Sequence, residues 1–218
     1  MEKIVKYIAG RVYKPLLTKY LSATRLYSSK GFSLVIPPGV FHPGFFFSTR
    51  MLLGYLARHP LEGRSFLELG AGSGLISLFA DREGAKVTAS DINPTAIECI
   101  RLNRRRNRGG FAVIQSDLFE TIAPQAFDII AINPPYYKKK PRLPGEYAWY
   151  CGENGEYFER LFGSLRNYSD EHSVVLMILC DGCDIDMIRG MAEGHGFRLN
   201  CVYKKRNLVE TNFIFRIE

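Results

Sequence analysis

Asn133-Pro134-Pro135-Tyr136 closes the apolar run from Phe127 to Ile132 and sets hydrogen-bond acceptors on a stiff frame. Pro134 biases Asn133 toward extended backbone, and the two prolines remove two main-chain donors. The Asn133 side-chain oxygen and nearby carbonyls remain, and acceptors recognise an NH2 group. A planar amide or aryl amine is a poor nucleophile because its lone pair is delocalised. Holding both of its hydrogens on acceptors turns that lone pair toward an electrophile for in-line attack, with no strong general base required. Such positioning contributes about 7 to 11 kcal/mol, against about 2.7 to 4 for one well-aimed polar group. Tyr136 adds a ring on which a planar substrate can stack. In isolation Asn-Pro is only a turn signal, so the chemical reading depends on the company it keeps.

That company begins at "FLELGAGSGL", where Gly70, Gly72 and Gly74 stand between an apolar strand and a helix. Glycine there permits a sharp turn and close approach of a ligand to the main chain. A nicotinamide-binding loop has the pattern GxGxxG, and this chain carries Leu75 where the third small residue belongs. Glu68, just before the glycines, is poorly suited to a pyrophosphate but suits a cationic group such as the amino group of a methionine moiety. Asp91 lies where a carboxylate can grip both hydroxyls of a ribose, and Asp117 in "QSDLF" can accept from an exocyclic adenine amine. Each acid alone reads as a solvated cap. Falling at consecutive strand ends, the three mark the ligand-binding edge of an open α/β sheet.

The elements that must position these residues follow from periodicity. SFLEL, KVTAS, AVIQS, FDIIAI and SVVLMIL read as buried strands, with LISLFADREG and PTAIECIRLNRRR as helices between them. Strands without inside/outside alternation, spaced by helices, predict a parallel sheet covered on both faces. After a helix over 184–193, "RLNCVYKKRN" and "ETNFIFRIE" leave no room for a crossover and are expected to pair antiparallel. Ahead of the core, residues 1–24 have a helical apolar face, residues 25–47 read as a short strand pair, and STRMLLGYLARH resumes a helical period. Two regions are expected: an extension over 1–60 that packs on the core and covers the ligand, and a catalytic domain over 61–218.

E-L-G-A-G-S-G, then S-D-I-N-P, then S-D-L resembles the cofactor half of a class I S-adenosylmethionine-dependent methyltransferase over residues 65–218. The resemblance implies an α/β, Rossmann-like, seven-stranded sheet, mostly parallel with a reversed last strand, and a site for S-adenosylmethionine. It adds Ala71, Ile92 and Leu118 to Glu68, Gly70, Gly72, Gly74, Asp91 and Asp117 as cofactor residues, with Asn133 reaching the same site. Asn133-Pro134-Pro135-Tyr136 resembles the catalytic motif of methyltransferases acting on amino groups, either the glutamine amide of peptide-chain release factors or adenine and guanine in nucleic acid. "CGENGEYFERLF" favours the HemK-type glutamine methyltransferases, placing Cys151 at the first Gly and Asn154 at the Asp of their G-G-x-D-G pattern. "VIPPGVFHPGFFFST" occupies the place of that family's proline-rich stretch, with Phe46, Phe47 or Thr49 over the cofactor. A release factor, a ribosomal protein or a nucleic acid is then the expected substrate. A cofactor-binding module without catalysis would keep Glu68 and the glycines but have no use for Asn133 to Tyr136.

The bulk numbers fit. The chain has 218 residues, 46% hydrophobic and 23% charged, as expected of a globular enzyme, and a net charge of +7. Cations cluster at Arg101 to Arg108, Lys138 to Arg142 and Lys204 to Arg206. The first cluster reads as a helix C-terminus complementing its dipole. Lys138, Lys139, Lys140 and Arg142 follow the catalytic turn directly and are expected on the substrate rim. The N-terminus lacks a secretory h-region and no segment offers a membrane span, so a cytoplasmic protein without a membrane partner is expected. The odd count of five cysteines suits a reducing compartment. Cys180 and Cys183 form a lone CxxC that reads as a strand end entering a turn, and no metal is expected. His42, His59, His172 and His195 show no mutual pattern.

Overall fold

The computed structural model describes residues 19–218. The helix expected over residues 1–24 therefore falls largely outside the described residues. A hairpin comes first, β1 (Arg25–Ser29) against β2 (Phe32–Ile36), followed by α1 (Phe47–Leu56). The core runs β3 (Ser65–Leu69), α2 (Leu75–Arg82), β4 (Lys86–Asp91), α3 (Pro94–Arg106), β5 (Ala112–Gln115) and β6 (Ile129–Ile132). It continues with α4 (Glu156–Leu165), β7 (Val174–Cys180), α5 (Ile185–Gly194), β8 (Leu199–Arg206) and β9 (Thr211–Ile217).

The main sheet has seven strands in the order β5-β4-β3-β6-β7-β9-β8. β3 pairs parallel with both β4 and β6, and β9 enters antiparallel between β7 and β8. This is the Rossmann-like sheet with a reversed last strand. Its strands are short and almost wholly apolar because both faces are covered. Phe66, Ala89, Ile129, Ala131 and Ile178 join the side chains of α1, α2, α3 and β2 on one face. Leu67, Leu69, Ile130, Ile132 and Met177 join those of α4 and α5 on the other.

β6 begins at Ile129, two residues later than FDIIAI reads, because Asp128 has another task. Its Oδ2 accepts from the Ser65 main-chain N–H at 2.7 Å and from the Ser65 hydroxyl at 2.6 Å, tying the starts of β3 and β6 together. β4 in turn extends through Asp91.

The hairpin is fastened to the core by two asparagines inside the arginine-rich end of α3. Asn103 accepts from the Val35 N–H at 2.8 Å and donates to the Val35 and Ser73 carbonyls. One turn later, Asn107 accepts from the Ser33 N–H and donates to the Ser33 carbonyl, both at 2.9 Å. The two amides act as a surrogate strand beside β2, and the Ser73 bond links them to the glycine turn. Within this arginine-rich stretch the two asparagines carry the main-chain bonds to β2, and Arg106 adds a bond to the Ser33 hydroxyl at 3.1 Å.

Asn103 is fully buried, so its loss strands a buried N–H and buried carbonyls. Asn103→Ala is expected to lower stability by about 2 to 4 kcal/mol in urea denaturation, while exposed Arg105→Ala stays within about 0.5. Equal effects of the two would contradict the surrogate-strand role.

Candidate active site at the carboxyl edge of the sheet

Strand register lines up the ends that matter. Leu69 is level with Ser90 on one side and with Ile132 on the other. Gly70, Asp91 and Asn133, each one residue further, therefore emerge in a row at the switch point where β3 lies between β4 and β6. A cleft open to solvent lies there, enclosing about 1470 Å³ when the solvent at its mouth is included. Its walls include Glu68, Gly70, Ala71, Gly72, Asp91, Ile92, Asp117, Leu118, Asn133, Pro134, Pro135 and Tyr136.

Gly72 and Gly74 hold φ of 55° and 77°, in the left-handed region that side chains resist. At Gly74 a Cβ would press on Ile100 at 3.3 Å, so this residue also sets the packing of α2 against α3 and does not itself line the cleft. The turn is pinned by the Gly70 and Ala71 N–H groups, which both donate to the Ser90 carbonyl.

Glu68 is buried beneath this turn. Its Oε2 accepts from the Ser77 N–H at 2.8 Å and from the Ser77 hydroxyl. Burial nevertheless pushes its carboxyl up to about 8, outweighing the Ser77 hydrogen bonds. Asp91 is also raised by burial, while its two oxygens accept from the Gly72 N–H at 2.8 Å and the Asn93 N–H at 2.9 Å. A carboxylate has about four acceptor positions, so Asp91 keeps capacity for a ligand. Asp117 is engaged on its outer side by Arg160, at 2.9 Å. Leu118 beside it holds φ of 51°, a strained setting for a leucine and one that recurs at functional sites.

Asn133 donates from Nδ2 to the Ser48 hydroxyl, 3.3 Å away in the first turn of α1. Ser48 thereby anchors the Asn133 side chain. Tyr136 is half-buried, and burial raises its phenol, which keeps its proton. Opposite, Phe41 stacks on Phe46 at 4.4 Å, and Trp149 meets both rings at 5.4 and 5.0 Å. Phe41, Thr49 and Trp149 line the cleft. Phe46 backs Phe41, and Phe47 takes Arg50 and Lys205 against its ring. Of the three residues expected over the ligand, Thr49 stands in the wall.

The basic stretch after Tyr136 is a folded flap. Tyr137 and Lys139 bridge to Tyr150 and Gly152. Lys138 pairs with Asp184, and Lys139 pairs with Glu146 at 3.1 Å, lying 4.4 Å over the Tyr150 ring. Glu146 also accepts from the Arg142 main-chain N–H at 2.7 Å. Lys138, Lys139, Lys140 and Arg142 thus stand outside the cleft, and the first two are bound to carboxylates.

Several residues of the site gave no signal in the sequence. Ser48, Ser77, Trp149, Tyr157 and Arg160 come from elements far apart along the chain. Asn93 is the exception, since Asn before Pro at a helix start is a capping signal. Its side chain caps α3 through the Thr95 N–H and donates to the Gly39 carbonyl at 3.0 Å, fastening the 37–46 loop over the cleft.

A nucleoside-sized cleft at the switch point of such a sheet, with acids on successive strand ends, defines a nucleotide-cofactor enzyme of the methyltransferase type. Comparison with known proteins makes the class specific: residues 31–144 match the methyltransferase small domain, and the chain belongs to that family. A protein of Methanocaldococcus jannaschii, provisionally named a protein N5-glutamine methyltransferase, is 31% identical over 155 residues, covering 68% of this chain and 76% of its own. Mouse methyltransferase HEMK2 is 36% identical over 107 residues, 44% of this chain and 50% of its own, so the match spans half of that relative. A crystal structure of a methyltransferase from Pyrococcus furiosus superposes with a TM-score of 0.67, at 20% identity over 96% of this chain and 98% of that one. The protein is an S-adenosylmethionine-dependent methyltransferase. No described helix is long and apolar enough to cross a membrane.

The raised Glu68 carboxyl has a consequence for stability. Between its ordinary value of 4.5 and about 8, the folded chain holds a proton that the unfolded chain has released. Stability of the ligand-free protein therefore falls as pH rises through that window, by about 1.4 kcal/mol per unit at most. Denaturation at pH 5, 6.5 and 8 is expected to show a shallower fall for Glu68→Gln than for the wild type. Identical slopes would contradict a protonated Glu68.

Proposed function

We propose that the acceptor is the side-chain amide of a glutamine in a protein, of the release-factor or ribosomal-protein type. The observation that carries this reading is Asn133. Its amide is held by Ser48 so that Oδ1 is the atom offered to a substrate, level with the glycine turn across the β3–β6 pair. A primary amide has two hydrogens and a delocalised lone pair. With one hydrogen on Asn133 Oδ1 and the other on a carbonyl of the Pro134-Pro135 turn, the nitrogen lone pair faces the methyl carbon. S-adenosylmethionine bound there would supply the methyl, its carbon–sulfur bond breaking as the nitrogen–methyl bond formed, and the amide proton would then leave to water. Pro134, Pro135 and Tyr136 shape the slot, and the name of the Methanocaldococcus relative supports a glutamine acceptor.

For the cofactor, Glu68 takes the amino group of the methionine moiety, Asp91 the ribose hydroxyls and Asp117 the adenine amine. Gly70, Ala71 and Gly72 supply close main-chain approach, with Gly74 holding α2 behind them, and Ile92 and Leu118 flank the base. When bound, S-adenosylmethionine supplies an electrophilic methyl group on a sulfonium. Burial beneath the turn means Glu68 must give up its proton to hold an ammonium group, so cofactor affinity rises with pH toward about 8. We further assign the 1–60 extension the task of closing the site. Its 37–46 loop is fastened by Asn93 and meets the flap where Gly145 packs on Gly39. Lys140 and Arg142, exposed on that flap, are assigned to the surface of the substrate.

Asn133→Ala is expected to keep cofactor affinity by calorimetry while lowering turnover by about two to three orders of magnitude. Ser48→Ala, which removes one neutral hydrogen bond, is expected to cost about fivefold and to add almost nothing to Asn133→Ala. Equal loss of binding and turnover would remove Asn133 from the acceptor side. Labelled methyl transfer into an extract of a deletion strain, followed by protease or nuclease digestion, is expected to leave label in peptides as methylglutamine. Label in adenine or guanine nucleosides would replace the protein acceptor with an exocyclic base amine.

A further inference from the structure

The lone CxxC lies against the acceptor slot. Cys180 ends β7, and Asp181-Gly182 turns the chain so that the Cys183 N–H donates to the Cys180 carbonyl at 3.0 Å. The Cys180 N–H points back at the Cys183 sulfur at 3.2 Å, and the two sulfurs are 3.8 Å apart. Cys180 is buried and Cys183 partly exposed. This turn touches the slot and its flap at two places. Tyr136 and Cys183 pack against the same apolar cluster, with the Tyr136 phenol acting on the Cys180 thiol, and Asp184, next to Cys183 and the N-cap of α5, pairs with Lys138.

A disulfide requires a sulfur separation of about 2.05 Å, so the pair must close by less than 2 Å within one tight turn. The hydrogen bond with Cys183 holds the Cys180 thiol below its ordinary range, while that same contact pushes Cys183 up. A thiol held low beside a second thiol within reach is the arrangement from which a dithiol oxidises most readily. Cys99 and Cys151 are raised by burial and are poor competitors.

We propose that Cys180 and Cys183 are a reversible dithiol/disulfide site that reports oxidant to the acceptor slot through Tyr136 and Lys138. With a hydroperoxide as oxidant, the Cys180 thiolate attacks the peroxide oxygen and hydroxide leaves, giving a sulfenic acid. Cys183 then displaces water from that sulfur, so two thiols and one hydrogen peroxide give one disulfide and two waters. A dithiol reductant reverses the change by exchange. Closing the bond pulls the Cys180 sulfur from Tyr136 and shifts Asp184, loosening the 133–140 segment on the acceptor side while leaving the cofactor side in place. The link to activity rests on Tyr136 as a wall of the acceptor slot; formation of the disulfide does not.

The test treats the full chain with hydrogen peroxide, then maps disulfides by mass spectrometry and follows amide hydrogen exchange over residues 133–140. A Cys180–Cys183 disulfide reversed by dithiothreitol is expected, with faster exchange over 133–140 in the wild type and none of this in Cys183→Ser. In the label-transfer assay the oxidised wild type is expected to be about fivefold slower than the reduced form, and Cys183→Ser indifferent to peroxide. Sulfonic acids or a Cys201-linked dimer without the internal disulfide would overturn the proposal, as would a disulfide that leaves exchange over 133–140 unchanged. If the reduced protein labels nucleosides and not peptides, the glutamine reading fails while the mass and exchange results still decide the thiol pair.

Discussion

Parallel pairing of β3 with β4 on one side and β6 on the other is the constraint from which the site follows. Because Leu69, Ser90 and Ile132 are level, the glycine turn, Asp91 and Asn133 leave the sheet in one row. A slip of one residue would turn each strand's side chains to the opposite face and bury the wrong set. Two separate apolar clusters, one on each face, hold that register. Asp128 bonded to Ser65 fixes it again at the opposite end of β3 and β6. The row of residues at the sheet edge is thus secured by the core rather than by the loops that display it.

Much of this was legible in the sequence because buried strands and their turns are written locally. SFLEL matches β3, the strand ends carry Glu68, Asp91 and Asn133, and the absence of a helix between the last two strands forced an antiparallel pair. What escaped was whatever depends on long-range docking. Ser48 reaches Asn133 across 85 positions, and Asn103 and Asn107 reach the hairpin across about 70. Inside an arginine-rich run those asparagines look like solvated surface, and only the arrival of β2 gives them work. The flap shows the same long-range dependence: a row of cations invites an anionic partner, and Asp184 and Glu146 bring carboxylates to Lys138 and Lys139 from elsewhere in the chain.

The wall facing the slot is built from parts that hold one another. Asn93 joins the ligand edge to the 37–46 loop, the aromatic trio of Phe41, Phe46 and Trp149 joins that loop to the flap, and Lys138 joins the flap to α5. Such a frame suits a reaction in which positioning outweighs acid–base chemistry. Tyr136 keeps its proton, and Asn133 does not titrate at all. Neither is a strong base, which agrees with an acceptor whose proton departs only after the methyl has arrived.

The most direct measurement is a crystal structure with S-adenosylhomocysteine bound. The sulfur is expected to face Asn133 Oδ1 across a gap that admits one planar amino group, with the nitrogen position about 3 to 3.5 Å from where the methyl carbon would sit. A sulfur turned away from Asn133, or one separated from it by the protein's own side chains, would contradict transfer to an amide held there.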